Sequence, residues 1–398
     1  MKNVRSVANL CKTYHWAFLL YFVFFLADGG MEAGIPFFFT SYGLLEEQYG
    51  FFLSCTRILD VCLPLFIVYL SKRWSPLNIY AIFIAIVLAA SWVTHYSFHS
   101  FAVAFSLMVV YCTRPVFNYS IGNLVNLSIQ SETRSQFFAI RDIFLYTGVS
   151  LSTFLAARII AGGAIRSIYI FLSPFLLFSV VLARRFSRSV HHTTQLSKNH
   201  ASLKKFIKEL RQLSRDKFFG VLLLFEIASL LYSVIMQFIP LLMVSRGINP
   251  ETFLDYSAIF SIINCLGALV LTTALSGLNA RKVFIADFLM DVISLTLFLL
   301  PGQDFFLLAG YYISLFKDVL SPISFGYLYS CVEQKYGLHR IPSIFGLLNT
   351  YTNLLGVLFP ILIGILWEKN MTEIFVASSL FYLALLYIGH SCLPEVNG

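Results

Sequence analysis

Residues 36–54 read PFFFTSYGLLEEQYGFFLS, and residues 240–261 read PLLMVSRGINPETFLDYSAIFS. Pro36 aligns with Pro240 (240 − 36 = 204), and Ser41-Tyr42-Gly43 aligns with Ser245-Arg246-Gly247 at the same spacing. The later copy then gains a few residues, because Phe51 to Ser54 resembles Ala258 to Ser261 at a spacing near 207. A duplicated half in so apolar a chain is the mark of a secondary transporter, whose two bundles rock around a central site. Chance similarity between greasy segments is the competing reading, and the intramembrane charges weigh against it.

The chain is 58% hydrophobic and 12% charged, where soluble domains average about 25% charged. So much apolar surface calls for lipid as the solvent. Apolar runs of about 17–25 residues imply helices, since that length spans a hydrocarbon core. The strict alternation of barrel strands is missing. Twelve spans are expected, at about 16–39, 49–70, 77–95, 100–128, 137–162, 167–183, 218–242, 252–275, 283–300, 305–330, 342–366 and 373–390. The first is too long for a cleaved signal, and it contains Asp28 and Glu32. The expectation is an all-α membrane protein of two six-helix halves with pseudo-twofold symmetry: residues 1–183, a basic linker 184–217, and residues 218–398.

Lys and Arg in the connections set the orientation. One face holds Lys2, Arg5, Lys12, Lys72, Arg73, Arg134, Arg281, Lys282, Lys335, Arg340 and the central loop. The other has only Arg166, Arg246 and Lys369, with Arg158 nearby. Both termini are therefore expected in the cytoplasm, with the protein in the plasma membrane. In the linker, Leu203, Phe206, Ile207, Leu210 and Leu213 recur at helical spacing within SLKKFIKELRQLSRDK, which suggests an amphipathic helix on the inner leaflet. The net charge of +8 is thus explained by topology and anionic lipid, and nucleic acid need not be invoked.

The seven cysteines have neither metal nor redox spacing and are expected to be packing residues. No GxxxxGK[ST], HExxH or G-x-S-x-G motif occurs. We expect no enzyme, no cofactor and no metal. The partners are a small-molecule substrate, protons and lipid, and the chain is expected to act as a monomer.

Two six-helix halves, a basic middle loop and internal termini resemble the major facilitator superfamily over nearly the whole chain. That family's signature between its second and third helices is roughly G-x-x-x-D-R-x-G-R-R. Here the loop reads YLSKRWSPLN, with Lys72-Arg73 and Ser75 in register and no aspartate. RSQFFAIRD, from Arg134, resembles the usual entry to the fifth helix. RIPSIFGLLN from Arg340 is its counterpart in the second half (340 − 134 = 206).

Charges within the spans carry the functional reading, because each costs about 2.5–3.5 kcal/mol at mid-membrane. Asp28 lies 12 residues beyond Trp16, about 18 Å into the first span. Glu32 follows one turn later on the same face, among Gly29, Gly30 and Gly34, which permit bending or close approach. Two carboxylates this close do not both ionise easily in a low dielectric, as a proton carrier requires. The alternative makes them fixed partners of Arg57 or Arg114.

Arg57 and Asp60 share a face of the second span, as a structural pair or a substrate contact. Arg114, Asn118, Gly122 and Asn126 form a stripe in the fourth, with Pro115 placed to kink it. Arg114 resembles the fourth-helix arginine of proton-driven drug antiporters, although Asn118 stands where their pattern has glycine. That resemblance adds Arg114 to Asp28 and Glu32 as the proton-coupling set.

Lys317 lies near the repeat image of Arg114 (317 − 114 = 203), followed by Asp318. Facing cations in the two halves would meet a central substrate, with Asn118, Glu226, Gln237, Asn349 and Asn353 as further ligands. Arg141-Asp142 is read as a gate, Asp318 as a gating or structural charge, and Asp287 and Asp291 as partners of loop cations. Intramembrane acids outnumber bases, which favours proton coupling. The first reading is a proton-coupled exporter of drug-like or amphipathic molecules working by alternating access. The alternatives are a proton symporter for a sugar or organic anion, and a transport-inactive scaffold or sensor.

Overall fold

A computed structural model describes residues 2–43, 46–71, 73–97, 99–129, 134–189, 216–274, 279–300, 304–337 and 341–393. The proposed amphipathic helix at 203–213 lies outside them, as does most of the linker. The described residues are helical, with no strand among them. The helices are α1 (Lys2–Ser41), α2 (Glu46–Ser71), α3 (Pro76–Tyr96), α4 (Ser100–Tyr111), α5 (Thr113–Phe117), α6 (Asn123–Ser128), α7 (Arg134–Ala161) and α8 (Ser167–Ser189). They continue as α9 (Lys217–Ser245), α10 (Pro250–Ala274), α11 (Ala280–Leu299), α12 (Asp304–Tyr336) and α13 (Ile341–Cys392).

Among the described residues, seven stretches are long and apolar enough to cross a membrane: Leu10–Ser41, Pro76–Tyr96, Ser100–Gly122, Ile140–Ala161, Ser167–Ser189, Lys217–Ser245 and Asn370–Gly389. A shorter apolar run covers Tyr351–Trp367. The sequence leads one to expect twelve. Helices α11 and α12 are long too, but they carry Arg281, Lys282, Asp287, Asp291, Lys317 and Asp318. The last two expected spans run together as α13, broken at Asn370 by φ −142° and ψ 43°.

The fourth expected span is the least regular. It breaks at Cys112, resumes as α5, and passes through a π-helical turn at Asn118–Gly122 before α6. Pro115 explains part of this, since it has no N–H for the carbonyl of Tyr111 one turn earlier. Such π-turns collect at functional sites.

By contacts the chain forms two compact units. The first comprises Met1–Thr194 and Phe238–Ser276, the second Gln195–Gln237 and Gly277–Gly398. In the first, α1 packs on α7 and α8, and α7 packs on α10. Phe24 stacks on Phe117 with ring centroids 3.9 Å apart, and Phe18 stacks on Phe137 and Phe144. These rings tie the first span to the irregular α5 and to α7.

Gly148 lets the α1 and α7 backbones meet, for a Cβ there would sit 2.6 Å from the Phe22 carbonyl oxygen. Gly29 and Gly30 likewise lie against Ser152 of α7. Gly148→Ala is expected to force the helices apart and cost about 1–3 kcal/mol. Thermal unfolding in detergent checks this, with Gly220→Ala as the neutral control because no described residue lies within 4 Å of its Cβ position.

In the second unit α11 packs on α12 and α13. Phe225 of α9 sits against Phe284 and Phe288, and a Cβ on Gly389 would meet its ring at 2.6 Å. Buried hydroxyls are satisfied across helices. Tyr232 donates to Ser294 Oγ at 3.0 Å, Ser294 to the Gly310 carbonyl at 2.8 Å, and Tyr382 to the Ala228 carbonyl at 2.6 Å.

Candidate functional site

Arg114 leaves α5 one residue before Pro115 and reaches α1. Its Nε donates to Asp28 Oδ2 at 2.8 Å, and its Nη2 is paired with Glu32 Oε2. The two carboxylates stand one helical turn apart, so one planar guanidinium can hold both. The Phe25 ring centroid lies 5.4 Å from the guanidinium carbon. Asp28 is the closed end of this cluster, with a side chain 6% exposed. Arg114 and Glu32, at 37% and 36%, are its open end. Asn118, in the π-turn just beyond, is exposed. The side chain of Asn126, last in the sequence stripe, lies outside the described residues.

Two acids on one base leave the cluster one negative charge in excess when all three are ionised. A single proton neutralises it. In a low-dielectric span such an excess charge is costly to hold.

The second unit holds a different kind of charged centre. Lys317 Nζ donates to both carboxylate oxygens of Asp291, at 2.9 and 2.7 Å, across α12 and α11. It also lies 4.6 Å from the Tyr232 ring centroid and 5.9 Å from that of Phe288. Asp291 is 0% exposed and Lys317 only 16%. Sequence reasoning gave Asp291 to a loop cation, but its partner is a lysine within the neighbouring helix α12. Lys317, which the sequence spacing pairs with Arg114, is therefore enclosed, whereas Arg114 is open.

The other charged residues form smaller sets. Arg57 Nη1 approaches Asp60 Oδ2 at 3.6 Å within α2, and both are half-buried. Arg57 Nε and Asp60 Oδ1 are buried without a hydrogen-bond partner among the described residues. Arg141 donates to its neighbour Asp142 through Nε at 2.8 Å and Nη2 at 2.6 Å, with Phe138 and Tyr21 rings beside the guanidinium. Glu226 and Gln237 lie on α9, both half-buried. Asn353 of α13 is also half-buried. The side chains of Asp318 and Asn349 lie outside the described residues.

One pair escaped the sequence reading. Arg158 near the end of α7 is bonded to Asp255 of α10 through its Nη2. Below it on the same two helices, Ser150 donates to the Ala258 carbonyl at 2.8 Å, and Cys265 Sγ lies 3.8 Å from the Ile143 carbonyl oxygen. Residues 97 apart betray no such seam by local spacing.

The chain matches the Major Facilitator Superfamily over residues 17–360. Comparison with curated protein sequences gives no match. Among solved structures, the chain is similar to a nucleoside transporter, NupG, at TM-score 0.73 and 15% identity, covering 95% of this chain and 99% of that one. It is also similar to a POT family transporter in complex with 5-aminolevulinic acid, at TM-score 0.72 and 12% identity, covering 99% and 97%. A POT family transporter bound to a thioalcohol conjugated peptide gives TM-score 0.72 and 12% identity, with 96% and 95% covered. At these identities the likeness is one of fold. The family match spans most of the sequence, so the chain belongs to the Major Facilitator Superfamily and is a multi-pass membrane transporter of small molecules, not an enzyme.

Proposed function

We propose that this transporter is proton-coupled and exports amphipathic small molecules across the plasma membrane by alternating access. The observation that carries the reading is Arg114, held between Asp28 and Glu32 at a half-open site in a membrane-spanning bundle. One proton more or less changes that site's net charge by a whole unit, which couples its solvation to the solute beside it. Asn118, Glu226, Gln237, Asn349 and Asn353 supply hydrogen bonds to the solute, and Lys317 with Asp291 is the charged centre of the second half. Arg57–Asp60, Arg141–Asp142 and Asp318 serve as structural or gating charges. The architecture is twelve spans in two six-helix halves, residues 1–183 and 218–398, joined by a cytoplasmic basic linker. Both termini are cytoplasmic, following the bias of Lys and Arg. The working unit is a monomer.

A second reading is proton symport of a sugar or organic anion; a polar solute is in keeping with the similar solved structures, a nucleoside transporter and a POT family transporter in complex with 5-aminolevulinic acid. Purified protein in vesicles separates the readings. Solute flux opposite to the imposed proton gradient marks the exporter, and flux along it marks the symporter. No flux with any solute would leave a scaffold or sensor.

Arg114→Ala tests the coupling. A neighbouring cation favours the charged carboxylates, so its loss favours the protonated cluster and moves the pH dependence of transport upward. Affinity at saturating pH stays near the wild-type value. If the pH dependence is unchanged and affinity falls instead, the solute is an organic anion. In that case Arg114→Lys weakens binding by about 1.5–3 kcal/mol, since lysine cannot copy a bidentate guanidinium.

A further inference from the structure

One side of helix α9 is polar. Glu226, Ser229, Ser233 and Gln237 follow one another at three- and four-residue spacing and so share one side. Glu226, Ser229 and Gln237 are half-buried and Ser233 is exposed, whereas Phe225, Ala228, Tyr232 and Ile235 on the opposite side are buried. The packed side faces Phe284, Phe288, Ser294 and Tyr382.

The exposed sides of α8 and the first part of α13 are apolar, as lipid requires. Phe171, Leu177, Phe178 and Val181 are exposed on α8, and Leu354, Leu358 and Leu362 on α13. A row of carboxylate, two hydroxyls and an amide over the twelve residues 226–237, about 16 Å of helix, does not fit a hydrocarbon surface. Ionisable groups within a span face a protein interior or a water-filled cavity. Glu226 makes no ion pair among the described residues, unlike Asp28, Glu32 and Asp291.

We infer that this stripe lines the aqueous solute path, and that Glu226 is the counter-charge for a protonated amine on the solute. The inference rests on the transport reading above and narrows its substrate class to amine-bearing amphipathic molecules. The carboxylate takes the ammonium in charge-assisted hydrogen bonds, while Ser229, Ser233 and Gln237 replace water around the rest of the polar end.

Cysteine labelling with a charged, water-soluble methanethiosulfonate tests this in purified full-length protein, with the unsubstituted chain as baseline for its native thiols. Ser233→Cys is expected to react at least about tenfold faster than Phe171→Cys or Leu380→Cys on apolar faces, because thiolate forms only where water reaches. Phenethylamine should then slow Ser233→Cys labelling, and its uncharged analogue phenethyl alcohol should not. Adding Glu226→Gln should abolish that protection, and Glu226→Asp should retain part of it. Labelling no faster than at the apolar faces overturns the path. Equal protection by amine and alcohol, or protection that survives Glu226→Gln, overturns the counter-charge. These readouts need no transport. Their failure alongside intact proton-driven export would reject the stripe alone, and success without any export would reject only the export reading.

Discussion

Asp28→Asn and Glu32→Gln are each expected to abolish uphill transport, so that solute merely equilibrates across the membrane. Each variant still reaches the membrane, because Arg114 keeps one carboxylate partner in either case: Glu32 in the first, Asp28 in the second. On the proton-coupled reading proposed above, what is lost is the proton whose arrival and departure changes the charge of the cluster. An amide cannot take that proton, so the energy of the gradient no longer reaches the solute. Downhill exchange of labelled solute should persist in Glu32→Gln, whose substitution lies at the open end of the cluster. Accumulation in proteoliposomes under an imposed pH gradient measures the effect. Wild-type accumulation by both neutral variants would remove Asp28 and Glu32 from the coupling mechanism.

The second large effect is expected at Lys317. Lys317→Met leaves Asp291, which is fully buried, without its ammonium partner. Removing one member of a buried ion pair costs about 3–5 kcal/mol, whereas replacing both by apolar groups of similar size is often neutral. Lys317→Met should therefore lose most of its folded yield, and Lys317→Met with Asp291→Leu should regain it. Fluorescence-detected size-exclusion chromatography and thermal unfolding report both. If Lys317 also meets solute, as its repeat position suggests, the double variant recovers folding and still binds poorly. Full recovery of both would confine the pair to holding α11 against α12.

The helical, membrane-bound class was legible from composition and run length alone, because lipid forces every backbone group to pair within its own segment. Asp28, Glu32 and Arg114 were legible as candidates for a related reason: a charge in a long apolar run is costly and rare. Their spacing along α1 also showed that both carboxylates share a face. Pro115 announced an irregular fourth span, though not the π-turn that follows it.

Partner choice was not legible. Asp28 and Glu32 had two possible cations, Arg57 and Arg114, and only the packing of α5 against α1 through Phe117 and Phe24 decides for Arg114. Lys317 appeared equivalent to Arg114 by repeat spacing. In the folded chain it is closed in by Asp291, Tyr232 and Phe288 from two other helices. Arg158 and Asp255 gave no local sign of each other at all.

The sequence by itself thus determined which residues are expensive to place in a membrane, since that cost depends on residue type and on the neighbouring run of chain. Only the tertiary structure decided which of them meet, and how open each meeting is, because both depend on helix rotation and on contacts between segments many residues apart.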